Sequence, residues 1–527
     1  MGSFLNPGNE KFAQCINSEI YVDKTGLIRY CNQVVNSLQK YICMSRPRRF
    51  GKSVTADMLT AYYSRGCDSR ELFAEYEIAA DTQYTKHLNQ YNVLFLNMQE
   101  FLSQSSSMTE MLQLLKKSLL WDLLEKYADL RYFDETNLTR TMQDIYSQTK
   151  IPFILIIDEW DCIFREYMSE AESQKLYLDF LRDLLKDKGY IALCYMTGIL
   201  PIKKYGTHSA LNMFDEFSMT FQGSLAQYVG FTESEVKELC RRYDMDFDET
   251  KKWYDGYYLE DAGSIYNPRS VVSAMRFRTF QYYWNQTETF EALRSYIDMN
   301  FEGLKDAVIH MMNGKNGVSV NTRSFTNDMV TFHSKDDVLT LLVHLGYLGY
   351  RSDTGKVFIP NHEILNEYVT SISNSDWGEV SKALKNSHAA LEAIWDYNEA
   401  FVAKSVEEAH YESSYLQYND ENALSYTISL AFYVARNYYT VIRELPTGKG
   451  RADMIYLPRK QFSDKPALLI ELKWNKTAES AVEQIKEKCY PKSLEDYSGN
   501  LLLVGINYDE KTKEHSCRIE PYSFVKP

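Results

Sequence analysis

Five consecutive apolar residues, Phe153-Ile154-Leu155-Ile156-Ile157, run directly into two carboxylates, Asp158 and Glu159. A strand that is apolar on both faces needs cover on both faces, which parallel sheets flanked by helices provide. The two carboxylates then stand at the C-terminal end of a buried strand, where α/β sheets place their ligands. At 527 residues the chain exceeds the length over which one hydrophobic core keeps growing, so two or more domains are expected.

A second segment gives that strand a partner. Tyr41 to Met44 is a short apolar run that enters Arg46-Pro47-Arg48-Arg49-Phe50-Gly51-Lys52-Ser53. Val54, Met58, Leu59 and Tyr62 follow at spacings of one helical face. Strand, loop ending in Gly-Lys-Ser, then helix is the context of a P-loop, although Arg46 stands where that pattern has its first glycine. Backbone N–H groups at the helix start would hold phosphates, and Gly51 would let the backbone approach them. Lys52 would reach the β and γ phosphates, and Ser53 would ligate magnesium. Asp158 would hold the same ion and Glu159 would activate the hydrolytic water. Val93 to Met98, Ile191 to Met196 and Phe214 to Thr220 supply further strands. Thr197, at the end of one of them, either senses the γ-phosphate or caps its strand.

These segments resemble the bacterial AAA-ATPase-like family. The likeness rests on Tyr21-Val22-Asp23-Lys24-Thr25, Arg46 to Ser53, Ile157-Asp158-Glu159, Trp253-Tyr254-Asp255-Gly256-Tyr257 and Tyr266-Asn267-Pro268-Arg269-Ser270, over roughly the first 300 residues. It implies ATP as the nucleotide and an arginine-rich loop in place of a glycine-rich one. Arg46 and Arg49 then join Gly51, Lys52 and Ser53 as nucleotide contacts. Thr232 and Glu235 form a capping box that opens a helix of a small lid. Arg269 either reaches phosphate from that lid or is simply solvated.

The middle of the chain reads differently. Val338, Leu341, Leu342 and Leu345 mark one helix face behind Ser334, an expected cap. Two short strands around Asp353-Thr354-Gly355 follow, compatible with a winged-helix module. Asp336, Asp337 and His344 on that helix favour bracing over DNA binding. Trp377 to Ala409 reads as a polar, helical linker.

Near the C-terminus, Tyr439 to Arg443 and Arg451 to Tyr456 read as strands, and Ala467-Leu468-Leu469-Ile470 enters Glu471-Leu472-Lys473. Residues two apart on a strand share a face, so Glu471 and Lys473 point the same way. Asp453, on the adjacent strand, can join them. Two carboxylates and an ammonium on one face suit magnesium-assisted phosphodiester cleavage. Glu421 on a preceding helix, Asp453, Glu471-x-Lys473, and a following helix with Gln484 and Tyr490 together resemble the PD-(D/E)XK nuclease superfamily. The resemblance implies metal ligation by Asp453 and Glu471, with Glu421 auxiliary, and a catalytic Lys473. Lys449, Arg451, Lys473, Lys476, Lys486, Lys488 and Lys492 cluster here. They fit either a polynucleotide backbone or an ordinary charged helix, because Glu479, Glu483 and Glu487 interleave with them.

The expected architecture is α/β and multidomain. It comprises a parallel-sheet P-loop ATPase domain (1–228), a helical lid (229–300), a winged-helix-like connector (301–375), a helical linker (376–410) and a restriction-endonuclease-like α/β domain (411–527). The expected activity is ATP binding and hydrolysis coupled to a magnesium-dependent nuclease, with DNA as the expected polynucleotide. A switch that binds nucleic acid without cutting it, and a DNA-binding regulator, are the alternatives. A net charge of −14 argues against a uniformly basic clamp. Nine cysteines without a C-x-x-C pair argue against zinc and suit a reducing cytoplasm. No apolar run is long enough for a membrane span, so no membrane partner is expected. A homo-oligomer stays open.

Overall fold

The computed structural model describes residues 4–202, 211–221, 223–260, 262–284, 290–299, 301–312, 317–373, 377, 379–412, 428–447, 450–459, 462–488 and 500–522. By compactness the chain forms two units. One comprises Met1–Glu288, Asn300–Leu304 and Asn316–Leu365, and the other Thr289–Met299, Lys305–Lys315 and Asn366–Pro527.

The first unit is built on strands β1 (Tyr41–Ser45), β2 (Asn92–Asn97), β3 (Phe153–Asp158), β4 (Ile191–Gly198) and β5 (Asp215–Phe217). They form one sheet in the order β2-β3-β4-β1-β5, and every pairing is parallel. All residues of β1, β3 and β4 are buried, as the apolar runs that make up most of each strand require. The helix Lys52–Tyr63 follows β1 and buries Met58, Leu59 and Tyr62. Val54 departs from the expected stripe and is exposed.

Beyond the sheet, strands β6 (Phe231–Thr232), β7 (Tyr257–Leu259) and β8 (Gly263–Tyr266) form a small antiparallel sheet, β6-β8-β7. The segment expected to be a helical lid therefore carries strands as well as the helices Glu233–Tyr243, Phe247–Tyr254 and Pro268–Phe277. The Thr232–Glu235 capping box is formed, with both reciprocal bonds present.

The connector carries β9 (Val318–Ser319), β10 (Gly349–Arg351) and β11 (Lys356–Phe358), antiparallel in the order β10-β11-β9. Its helix Lys335–Leu345 starts after Ser334, whose side chain accepts no capping bond. The Asp337 carboxylate instead ties down the chain before the helix, accepting from the His333 N–H at 2.8 Å and the Ser324 hydroxyl at 2.7 Å. Every residue from Asp337 to His344 is buried, which leaves this helix no open face to present to a DNA groove.

The second unit carries β12 (Tyr439–Thr447), β13 (Gly450–Pro458), β14 (Ala467–Trp474), β15 (Leu501–Asp509) and β16 (Glu514–Tyr522), in sequential order. Only β14 and β15 are parallel, and the helix Ala478–Glu487 connects them. On one face Ile455, Ala467 and Leu469 pack against Val482 and Ile485 of that helix. On the other, Met454, Leu468, Ile470 and Leu472 share a core with Leu391, Ile394, Val402 and Val406. The helices Glu379–Trp395 and Glu399–Glu412 are thus a packed layer rather than a linker. Their apolar residues recur three and four apart and form a buried stripe that overall polarity hides. Among the described residues, no helix is long and apolar enough to cross a membrane.

Candidate functional site

In the first unit the loop after β1 turns into its helix through Gly51, which has φ +91°. A β-carbon there would meet nothing within 4 Å, so the backbone conformation, not crowding, favours glycine. No side chain caps this helix among the described residues, and its first-turn N–H groups are the donors an anion takes. They open onto a cavity of about 900 Å³ lined by Arg48, Arg49, Phe50, Gly51, Lys52, Ser53, Glu159, Arg165 and Arg269, among others.

Behind the cavity lies a small polar cluster. The Ser53 hydroxyl donates to Oδ2 of Asp158 at 2.7 Å, and the Thr197 hydroxyl donates to Oδ1. Because β4 lies between β1 and β3, Thr197 is brought beside Asp158 at the sheet's C-terminal edge. Thr197 is fully buried and does not line the cavity; its hydroxyl serves Asp158. Glu159 takes φ +54°, which turns it away from the strand direction, and it pairs with Arg165. Lys52 is buried, and its ammonium donates to the carbonyls of Arg46 and Pro47, each at 3.0 Å. Burial pushes that ammonium below the ordinary lysine value, against the pull of Glu159, Asp161 and Asp158.

Two expected nucleotide contacts are engaged by backbone carbonyls. Arg46 is fully buried outside the cavity lining, donating to the carbonyls of Ser45 at 3.0 Å and Phe217 at 3.3 Å. Its Nε and Nη2 have no hydrogen-bond partner, and burial lowers its value to about 10. Set directly after β1, the side chain packs across the neighbouring strand β5 instead of projecting into the loop's concavity. Arg49 lines the cavity but donates to the carbonyls of Tyr283 at 2.7 Å and Trp284. Arg269 is exposed on the first turn of the helix Pro268–Phe277, facing the same cavity.

The aromatic motifs beyond the sheet hold the connector in place. The Tyr257 hydroxyl donates to the Gly346 carbonyl at 2.6 Å, and the Asn361 amide to the Asp255 carbonyl at 2.7 Å. Gly256 has φ +112°, and a β-carbon there would stand 2.2 Å from the Pro360 carbonyl oxygen. Asn267 caps its helix through the Ser270 N–H, and the Ser270 hydroxyl donates to Glu363 at 2.7 Å. Glu363 also accepts the N–H groups of Tyr283 and Trp284. Burial pushes this carboxyl up to about 7 even against those three donors. In the Tyr21–Thr25 motif, Lys24 pairs with Glu235 at 2.6 Å and Asp23 caps the Thr25 and Glu77 N–H groups, each at 2.8 Å.

Glu363, Asp161 and Arg165 were not singled out by sequence. Asp161 accepts the N–H groups of Ile199 at 3.0 Å and Leu200 at 2.8 Å, tying the β3 end to the β4 end. Its spacing of four from Arg165 on a helical stretch was the available signal. Glu363 carries no local signal, because its partners lie about 80 residues away or more.

In the second unit the β13–β14 register pairs Met454 with Ile470, the residues next to Asp453 and Glu471. Alternation places Asp453, Glu471 and Lys473 on the face that carries the helix Ala478–Glu487. Lys473 donates to Glu471 Oε1 at 3.1 Å, and the Gln484 amide donates to the same oxygen. Asp453 accepts the Leu472 N–H at 2.8 Å. Burial, then the nearby Asp453 carboxylate, pushes Glu471 up to about 7 against the pull of Lys473. Glu471 Oε2 is buried with no hydrogen-bond partner, an orphan acceptor that a hard cation would satisfy. Among the described residues, no three His, Cys, Asp or Glu side chains gather to hold a metal. Glu421, Lys449, Tyr490 and Lys492 lie outside the described residues. Lys486 pairs with Glu520 at 2.5 Å.

Residues 7–207 match the family model described as a predicted AAA-ATPase, and residues 420–516 match that of the PD-(D/E)XK nuclease superfamily. The chain is 23% identical over 277 residues to an uncharacterized protein in the vnfD 5′ region of Azotobacter chroococcum mcd 1. That alignment covers 51% of this chain and 51% of the relative, so the chain spans about half the relative's length. Among solved structures, the Aeropyrum pernix ORC1 protein in complex with DNA aligns at 10% identity and a TM-score of 0.24, over 70% of this chain and 98% of that one. The Aeropyrum pernix ORC2 protein, in ADPNP-ADP complexes, aligns at 12% identity and a TM-score of 0.29, over 70% and 100%.

Proposed function

We propose that this chain is an ATP-binding hydrolase coupled to a magnesium-dependent nuclease. The observation that carries the reading is the joint placement of Lys52, Ser53 and Glu159 around one cavity, with Asp158 bonded to Ser53 behind it. Helix N–H groups and Lys52 take the phosphates of ATP, and Ser53 and Asp158 hold the accompanying magnesium. That ion offsets phosphate charge when bound. Glu159 orients and accepts a proton from the attacking water, and Thr197 fixes the Asp158 carboxylate from behind. Arg269 faces the phosphates from the lid. Arg46 braces the loop from beneath, and Arg49 ties it to residues 283 and 284.

For the second unit the donor set suits magnesium: two carboxylates, Asp453 and Glu471, one with an unpartnered buried oxygen. Asp453 and Glu471 hold the ion, with Glu421 as an auxiliary ligand. Bound there, magnesium would lower the pKa of its water and polarise the scissile phosphate. Lys473 offsets charge on the leaving side, and Gln484 orients Glu471. DNA is the polynucleotide proposed, in a cytoplasmic protein.

The test is a cleavage assay on plasmid, linear single- and double-stranded DNA, and RNA. Wild type, Lys473→Ala and Lys52→Ala are compared in magnesium with and without ATP. Cutting that is lost in Lys473→Ala and altered in Lys52→Ala supports a nucleotide-gated nuclease. No cutting of any substrate by wild type rejects the nuclease half and leaves an ATP-operated switch.

A further inference from the structure

Glu159 is the group proposed to accept a proton from water, yet its carboxylate already has a partner. Arg165, six residues on, donates through Nη2 to Glu159 Oε2. The pair is well shielded, with side-chain exposures of 12% for Arg165 and 24% for Glu159. Both residues line the cavity that Lys52 and Ser53 open onto. A carboxylate oxygen that accepts from a guanidinium in a shielded site has little affinity left for a water proton.

Arg165 has a second carboxylate nearby. It sits in the short helix Cys162–Glu166, and its Nε lies 4.0 Å from Oδ2 of Asp161. Asp161 is itself fixed to the N–H groups of Ile199 and Leu200, so the base of this arrangement is anchored to the end of β4. The other arginines are placed differently. Arg46 is buried outside the cavity lining, Arg49 donates to two carbonyls, and Arg48 and Arg269 are exposed. A terminal phosphate carries more charge than a carboxylate and offers three acceptor oxygens, so it competes for a shielded guanidinium.

We propose that Arg165 is the residue by which this cavity distinguishes a nucleoside triphosphate from a diphosphate. Its guanidinium exchanges Glu159 for the terminal phosphate, and that exchange frees the carboxylate only when the phosphate is there. The inference rests on the reading of the cavity as a nucleotide site. Arg165 is a specificity residue in this scheme, acting on Glu159 through the ion pair.

The experiment measures affinity of the full chain for magnesium–ADP and for the magnesium complex of the imido analogue of ATP, by calorimetric titration. Wild type, Arg165→Ala, Arg165→Lys and Lys52→Ala are compared. Arg165→Ala should lose about tenfold or more of the triphosphate preference, the worth of one charge-assisted hydrogen bond, while ADP affinity holds. Arg165→Lys should recover part of the preference, which a purely structural role would not predict. Equal weakening toward both nucleotides, or an unchanged preference, would overturn the inference alone. A wild type that binds neither nucleotide, or a Lys52→Ala variant that binds like wild type, overturns the nucleotide reading itself.

Discussion

Ser53 and Asp158 are 105 residues apart in sequence, yet the serine hydroxyl donates to the carboxylate at 2.7 Å across the end of a parallel sheet. The contact needs β1 and β3 to finish at the same edge with only β4 between them. It joins the first turn of one helix to the end of a strand in another part of the chain, and it places two oxygen donors side by side. Hard divalent cations favour such a pair.

If that pair holds magnesium beside a nucleotide, magnesium–ATP should stabilise the first unit. At a ligand concentration about a hundred times Kd the gain is about 2.7 kcal/mol. Lys52→Ala and Asp158→Asn should show no shift of melting temperature with magnesium–ATP, measured by differential scanning calorimetry. A full shift in both variants would place the nucleotide elsewhere.

Gly51→Ala separates backbone strain from crowding, because a β-carbon meets nothing there while φ is +91°. The expected cost is about 1 to 2 kcal/mol, read from urea unfolding, from the left-handed conformation alone. ATP affinity should fall further than stability does, since relaxation of the turn moves the phosphate-binding N–H groups.

Glu363 makes stability depend on pH. Its folded value, about 7, lies above the ordinary 4.5, so folding favours the protonated form. Its contribution is therefore whole in acid and is lost as pH rises through about 7. The first unit should melt lower at about pH 8 than at about pH 6, and Glu363→Gln should flatten that slope. An unchanged slope in the variant would assign the pH dependence to another group.

Glu471→Gln should divide activity from stability. The amide keeps an acceptor for Lys473 and Gln484 but loses the charge that a metal ion needs. Nuclease activity should fall by at least about a hundredfold. Above about pH 7, where the buried carboxylate is ionised, the melting temperature should hold or rise. A large loss of stability would mark the residue as structural first.

Ile394→Ala tests whether the helices before β12 are a packed layer. Ile394 is fully buried in the core of the second unit, so truncation should cost about 2 to 5 kcal/mol in chemical denaturation. A connecting linker would tolerate the change to within about 0.5 kcal/mol.

The sequence by itself determined the buried character of β1, β3, β4 and β14, because unbroken apolar runs have few other uses. It also placed Glu471 and Lys473 on one face, since alternation along a strand is geometric, and the Thr232 cap, since a capping box is local. Tertiary structure decided the rest. Apolar periodicity states which face of an element must be covered, not what covers it, so the stripe through Ile394, Val402 and Val406 revealed its role only beside the β-sheet. A charged residue in a motif is likewise unassigned until its neighbours are known. Arg46 and Arg49 look alike in the loop, yet one is fully buried and the other lines the cavity. Thr197 met Asp158, and Glu363 met residues 270, 283 and 284, only because strand order and packing brought distant segments together. Hydrogen bonds are short-ranged, so no spacing within one segment can announce a partner that arrives from another.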